Sequence, residues 1–191
     1  MTAGQDRTRR RRSRPLRAGA ASAAALAVLT LAGCSTARYG APVAPSPMSV
    51  NSEAFISGML PARYTCHGAK INPPLNWSSA PPGTKSLALI VDDSSAPITP
   101  FIYWLVFNIN PGTTDIQEGR LPTGALQALN SAGNATYDAP CPGGRRHSYR
   151  FTVYALRTTL TLTNGAPLQS AWTAIAAATI GRGRIAVTGN P

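Results

Sequence analysis

The chain has 191 residues, 18 of them Lys or Arg against 7 Asp or Glu, a formal charge of +11. Its 43% hydrophobic and 13% charged content excludes a disordered polyelectrolyte and fits a globular domain. The basic excess does not indicate a nucleic-acid partner, because seven arginines crowd the first 17 residues and the others are dispersed.

Residues 1–33 read as an export leader rather than as fold. Arg7, Arg9 to Arg12, Arg14 and Arg17 form a basic segment, and Ala18 to Leu31 is an apolar, alanine-rich run. At 14 residues the run is too short to span a bilayer, which takes about 20. Leu31-Ala32-Gly33-Cys34 follows and resembles the lipobox of bacterial lipoproteins. That resemblance implies cleavage before Cys34 and an acyl anchor on its sulfur, holding the protein on the extracytoplasmic face of the cell membrane. The competing reading is an ordinary signal peptide with a chance cysteine. Arg11-Arg12 with Leu16 is a loose fit to a twin-arginine signal, so the export route stays open. Without the leader the chain keeps 11 basic and 6 acidic residues, a modest +5 that suits anionic ligands.

Residues 34–48, rich in Pro, Ala and Ser, read as a tether, and residues 49–191 as one domain. With Cys34 acylated, Cys66 and Cys141 remain as an even pair in an oxidising compartment. A bridge between them would close a loop of about 75 residues and stabilise by about 4 kcal/mol. The alternative is two free buried thiols.

Ser86 to Asp93 is an apolar, branched run between Pro-Gly and Ser-Ser-Ala-Pro turns, and predicts a buried strand. Phe101 to Ile109, aromatic and branched, predicts a second, and the alternating Ser148 to Leu156 a third. Weaker strand signals lie near Val50 to Phe55, Leu75 to Trp77 and Arg184 to Thr188. One helix is expected over Pro167 to Ile180, with Leu168, Trp172, Ile175 and Thr179 on one face. Short strands, Pro/Gly turns and one late helix predict a mainly β domain, a sandwich.

Five segments in series resemble the phosphatidylethanolamine-binding protein family, in its bacterial Raf-kinase-inhibitor-like branch. They are LPARYTCHGAKINPPLNW (60–77), PPGTKSLALIVDD (81–93), APITPFIYWLVFNI (96–109), NSAGNATYDAPCP (130–142) and HSYRFTVYAL (147–156). The resemblance implies a β-sandwich with Greek-key elements and a C-terminal helix. It also implies a pocket for phosphate-like anions or a phospholipid headgroup, lined here by Asp93, Tyr103, Cys141, Pro142, His147 and Tyr149. Cys141, if bridged to Cys66, would then fix one pocket wall. The chain departs from the family pattern at Ser95, where a second acid is usual, and at Tyr103, where a His is usual. It departs also at Ala139 and Gly143, and at Ala177-Ala178, where many bacterial relatives carry Gly-His.

The expected function is an envelope-anchored binding protein with a small anion pocket and no catalysis. The alternative is a protein-interaction or enzyme-inhibitor lipoprotein with a vestigial pocket. A hydrolase reading would pair Ser94 or Ser95 with His147 and Asp93, but no Gly-x-Ser-x-Gly elbow is present. No cofactor and no metal are expected, since Cys66-His67 with Cys141 and His147 lacks paired zinc-ligand spacing. His67 reads as an exposed loop residue.

Overall fold

The computed structural model describes residues 45–96 and 98–189. The leader, Cys34 and most of the tether lie outside the described residues. The fold is mainly β, with two sheets and one short helix near the C-terminus. The larger sheet has the order β1-β9-β8-β4-β5-β7. Its strands are β1 (Ser46–Met48), β4 (Ser86–Asp93), β5 (Phe101–Ile109), β7 (Leu126–Gln127), β8 (His147–Leu156) and β9 (Thr179–Gly189). The smaller sheet joins β2 (Val50–Asn51), β3 (Leu75–Trp77) and β6 (Asp115–Ile116) in the order β2-β3-β6.

β4 is apolar from Leu87 to Val91 because both its faces are covered. Leu87, Leu89 and Val91 pack with Val106, Phe151 and Val153, and with Val50, Leu75, Trp77 and Ile116 of the second sheet. Ala88 and Ile90 pack on the opposite side with Leu105, Phe107 and the helix residues Ala171 and Ile175. The side-chain period of two distributes one strand between two cores. Every residue of β4 is buried, including its two terminal aspartates.

The predicted tether ends earlier than expected. Ser46–Met48 is strand β1, paired in parallel with β9. Ser-Pro-Met carries no strand pattern; it joins the sheet because Gly183 leaves room for it. A Cβ at Gly183 would lie 2.5 Å from the Met48 carbonyl oxygen. β9 is correspondingly longer than the expected Arg184–Thr188. Gly181 and Gly183, which read as breakers, mark close approaches by neighbours instead.

The helix α1 runs Leu168–Ala178, so the expected end at Ile180 is two residues too far. Thr179 takes extended geometry, its Oγ1 donates to the Ile175 carbonyl at 2.7 Å, and the chain enters β9 directly. Val50–Phe55 also divides, into β2 and a 3-10 turn at Glu53–Phe55 whose N-terminus is capped by the Ser52 hydroxyl.

β5 contains two irregularities in its pairing with β4. Near one end, Leu87 faces Ile109 and Leu89 faces Val106, which leaves one extra residue on β5. There Asn108 adopts φ 55°, and its amide exchanges two hydrogen bonds with the backbone of Leu160. At the other end Val91 faces Trp104 while Asp92 faces Ile102, so Tyr103 is the extra residue of a bulge.

Candidate functional site

That bulge determines which way Tyr103 points. In regular pairing Tyr103 would share the helix-side face with Asp92. The inserted residue turns it to the inter-sheet side, where its ring packs against the main core and meets Tyr149 edge-on, centroids 5.7 Å apart. The carbonyl that the bulge frees from the ladder is not left unpaired. It accepts from the Asp138 backbone N–H at 3.0 Å and from Asn130 Nδ2 at 3.2 Å.

Asn130 is buried and uses its whole amide for this purpose. Its Nδ2 also donates to the Thr136 carbonyl, and its Oδ1 accepts from the N–H groups of Ala132 and Asn134. Sequence reasoning missed Asn130 as a site-building residue, although it opens one of the five quoted segments. It missed the bulge as well, for which FIYWLVFNI gives no signal.

Asp93 is the last residue of β4 and stands opposite Tyr149 of β8. Its Oδ1 accepts from the Ser95 backbone N–H at 2.8 Å, a turn that terminates the strand. Its Oδ2 lies 2.6 Å from His147 Nδ1. With the carboxylate ionised, it can only accept, so the proton sits on Nδ1 and Nε2 is the ring's remaining polar atom. The imidazole lies parallel to the Tyr149 ring, 3° between planes and 5.9 Å between centroids.

Tyr149 is fully buried, and its hydroxyl has no hydrogen-bond partner. The Tyr103 and Tyr149 phenols influence each other's ionisation, yet no hydrogen bond of ordinary geometry joins them. Burial, then the Asp93 and Asp138 carboxylates, pushes Tyr103 up to about 12. Burial, then Tyr103 and Asp93, raises Tyr149 as well. Both phenols are therefore neutral donors throughout the physiological range.

Gly189 faces His147 across β8 and β9. A Cβ there would lie 2.3 Å from Tyr149 Cε2, so only glycine lets the ring occupy its position.

The structure places the Pro140–Pro142 segment against the Cys66 turn: Pro142 lines a separate cleft of about 390 Å³ with Leu60, Pro61, Thr65 and His67, which contains none of Asp93, Tyr103, His147 or Tyr149. Cys66 and Cys141 are joined by a disulfide, and the Cys66 N–H donates to the Pro140 carbonyl at 3.0 Å. Tyr137 secures the same loop, its hydroxyl donating to the Tyr64 carbonyl at 2.9 Å. Pro142 is buried, whereas Cys141 is exposed. Arg145 and Arg146 follow on an exposed turn that leads into β8.

The serines of the Asp93 turn are occupied with backbone. Ser95 Oγ accepts from the Ser148 N–H, and Ser94 Oγ donates to the Ser148 carbonyl. Both contacts hold the turn to the start of β8, and neither hydroxyl reaches the His147 ring among the described hydrogen bonds. His67 is exposed. The ligand atoms of Cys66, His67 and Cys141 lie within 4.8 Å of one another, although their spacing in the sequence is not that of paired zinc ligands. The disulfide engages both sulfurs, so they are not thiolate ligands in this structure. An open cleft of about 770 Å³, lined by Asn110, Asp115, Gln117 and Thr123 among others, contains none of the residues around Asp93 and His147.

Comparison with known proteins agrees with this architecture. Residues 50–190 match the family model described as phosphatidylethanolamine-binding protein. A UPF0098 protein of Methanothermobacter thermautotrophicus is 40% identical over 144 residues, covering 72% of this chain and 95% of that one. A Mycobacterium tuberculosis protein provisionally named lipoprotein LppC is 40% identical over 148 residues, covering 76% of this chain and 73% of that one. Among solved structures, a provisional phosphatidylethanolamine-binding protein homologue of Chlamydia trachomatis superposes with a TM-score of 0.69 at 34% identity, covering 76% of this chain and 99% of that one. Escherichia coli YbcL, described as a member of the mammalian family, gives a TM-score of 0.70 at 28% identity, covering 75% and 98%. This chain belongs to the phosphatidylethanolamine-binding protein family.

Proposed function

We propose that the recess at Asp93, Tyr103, His147 and Tyr149, walled by Cys141 and Pro142, binds a small oxyanion of the phosphate type, free or as a phospholipid headgroup. The observation that carries this reading is the Tyr149 hydroxyl. A buried hydroxyl without a partner costs about 1–3 kcal/mol, and a ligand oxygen admitted by displacement of the adjoining Tyr103 ring would remove that cost. Tyr103 supplies a second phenol, and a protonated His147 supplies Nε2–H as a charge-assisted donor. Asp93 balances the imidazolium, and Arg145 and Arg146 add positive potential from the adjoining turn. The site binds without catalysing, because the serines beside Asp93 are committed to the turn.

In this reading residues 1–33 export the chain, Cys34 is acylated, and residues 35–45 tether the domain to the membrane. The provisional lipoprotein name of the mycobacterial relative supports the anchor.

Titration of the full chain with inorganic phosphate and with phosphoethanolamine, followed by the His147 ring resonances, tests the site. Saturable shifts at millimolar ligand are expected. Unmoved His147 resonances in a folded protein would overturn the anion pocket. They would favour the second reading, a protein-contact surface. That reading has its own support: Ile98 is 92% and Phe101 37% exposed beside the recess, and the Phe101 ring leans on Tyr103.

A further inference from the structure

The charges of this chain are unevenly distributed. After Asp138 there is no Asp or Glu, and the described residues beyond it carry six arginines. Of the earlier acids, Asp93 points to the inter-sheet side, and Glu53, Asp115 and Glu118 belong to the second sheet and its connections. Asp138 adjoins Tyr103. Among the described acids, Asp92 alone points to the helix side of the large sheet, where it is buried and paired with Arg150.

That helix side carries two cations with no acid to hold them. Register places Arg182 beside Tyr154 and Arg184 beside Thr152 on one face of β8 and β9. Both arginines are exposed. Arg184 Nε donates to Thr152 Oγ1 at 2.9 Å, and the Arg182 guanidinium has no hydrogen bond or ion pair among the described residues. The adjoining helix α1 has no charged residue in its sequence, LQSAWTAIAAA, and exposes Ala176 and Ala177. Between helix and strand runs a cleft of about 370 Å³ lined by Ile90, Tyr154, Trp172, Ile175 and Arg182. Trp172 is half-buried there, whereas Trp77 and Trp104 are buried. Pro45 also lines this cleft, and Pro47 pairs with Arg182. The chain that leads back to Cys34 therefore departs from this face. Cys34 stands about eleven residues before Pro45, a span of at most roughly 40 Å.

We propose that this face, with Trp172, Arg182 and Arg184, docks on an anionic phospholipid bilayer and orients the tethered domain. An amphipathic indole beside unpaired guanidiniums above an uncharged helix suits the headgroup region, where aromatic rings and cations concentrate. Each arginine near an anionic surface contributes roughly fivefold in partitioning, so the pair gives about thirtyfold. At physiological salt this is too weak to recruit a free protein, although at low salt it is not. It suffices once an anchor makes the encounter intramolecular. The orientation rests on the acylation of Cys34; the affinity of the face for anionic lipid does not.

The intact lipidated protein is reconstituted into vesicles of phosphatidylcholine, or of phosphatidylcholine with phosphatidylglycerol, each with brominated acyl chains. Quenching of Trp172, assigned with Trp172→Phe, is the readout of docking, and co-flotation at high salt is the readout of the anchor. Docking predicts quenching in the phosphatidylglycerol vesicles that is lost in about 0.5 M salt and in Arg182→Gln/Arg184→Gln, and is retained in Arg182→Lys/Arg184→Lys. Quenching that is equal in neutral and anionic vesicles, or unaffected by the Gln pair, overturns the proposal. A protein that fails to float at high salt is not anchored. Its flotation with phosphatidylglycerol vesicles at low salt, weakened about thirtyfold by the Gln pair, still supports the docking face, and the lack of such flotation overturns it.

Discussion

Asp92 and Asp93 are consecutive on β4 and serve opposite faces of one sheet. Asp92 faces Arg150 across the β4–β8 ladder and pairs with its guanidinium on the helix side. Asp93 turns to the inter-sheet side and holds His147. One carboxylate is part of the body of the domain and the other of the proposed recess, so substitutions at the two positions should separate stability from binding. Asp92→Asn leaves Arg150 without its counter-charge. Because the Arg150 side chain keeps 23% exposure, water offsets part of the loss. A destabilisation of about 2–3 kcal/mol is expected in urea titration, below the roughly 3–5 of a fully buried pair.

Tyr149→Phe removes the buried hydroxyl that has no partner. The free protein should gain about 1 kcal/mol of stability, because an unsatisfied polar group is deleted and the ring retained. Phosphate affinity should fall about tenfold. Calorimetric unfolding and phosphate titration of the same sample check both signs. A stability loss would show that the hydroxyl is satisfied in solution.

Gly189→Ala places a methyl group where the Tyr149 ring lies. The ring must move, at about 1–3 kcal/mol. Its displacement should alter the ring-current shifts of His147, which stacks on it. Unchanged His147 shifts with wild-type stability would exclude this tight contact.

The Cys66–Cys141 bridge closes a 75-residue loop. Reduction, or the Cys66→Ala/Cys141→Ala pair, should cost about 4 kcal/mol by the loop-entropy estimate. The midpoint of urea denaturation reads this directly. If the Pro140–Pro142 segment walls the proposed recess, the loss should be accompanied by weaker phosphate binding, since the bridge ties that segment to the Thr65–His67 turn.

The phenols predict alkaline lability. Burial pushes Tyr103 up to about 12, and burial with the Glu118 hydrogen bond pushes Tyr64 up to about 12. In the unfolded chain both ionise near pH 10. The unfolded state therefore loses protons first as pH rises. Stability present below pH 10 should decline between about pH 10 and 12. Phenolate absorbance and circular dichroism, recorded together, should show these tyrosines titrating late and with unfolding.

Of the fold, the three long strands were legible almost to the residue. Their apolar runs are long, and β-branched and aromatic residues favour that geometry over helix. The disulfide partners followed from counting thiols once Cys34 was set aside. The ends of β9 were not legible, because Gly181 and Gly183 carry the same letter as turn glycines. What distinguishes them is the approach of Pro81 and Met48, which a local pattern does not contain. Strand β1 was hidden for the same reason: its pairing partner lies more than a hundred residues away.

The candidate site divides along the same line. Sequence by itself determined that an aspartate would end one buried strand and a histidine stand just before another, since alternation and turn chemistry are local properties. Tertiary structure decided the rest. The bulge that swings Tyr103 across the sheet, the glycine beneath Tyr149 and the unsatisfied hydroxyl between them arise only when strands distant in the chain are brought into register. Register is a matter of packing summed over both faces of a sheet, so no single segment encodes it.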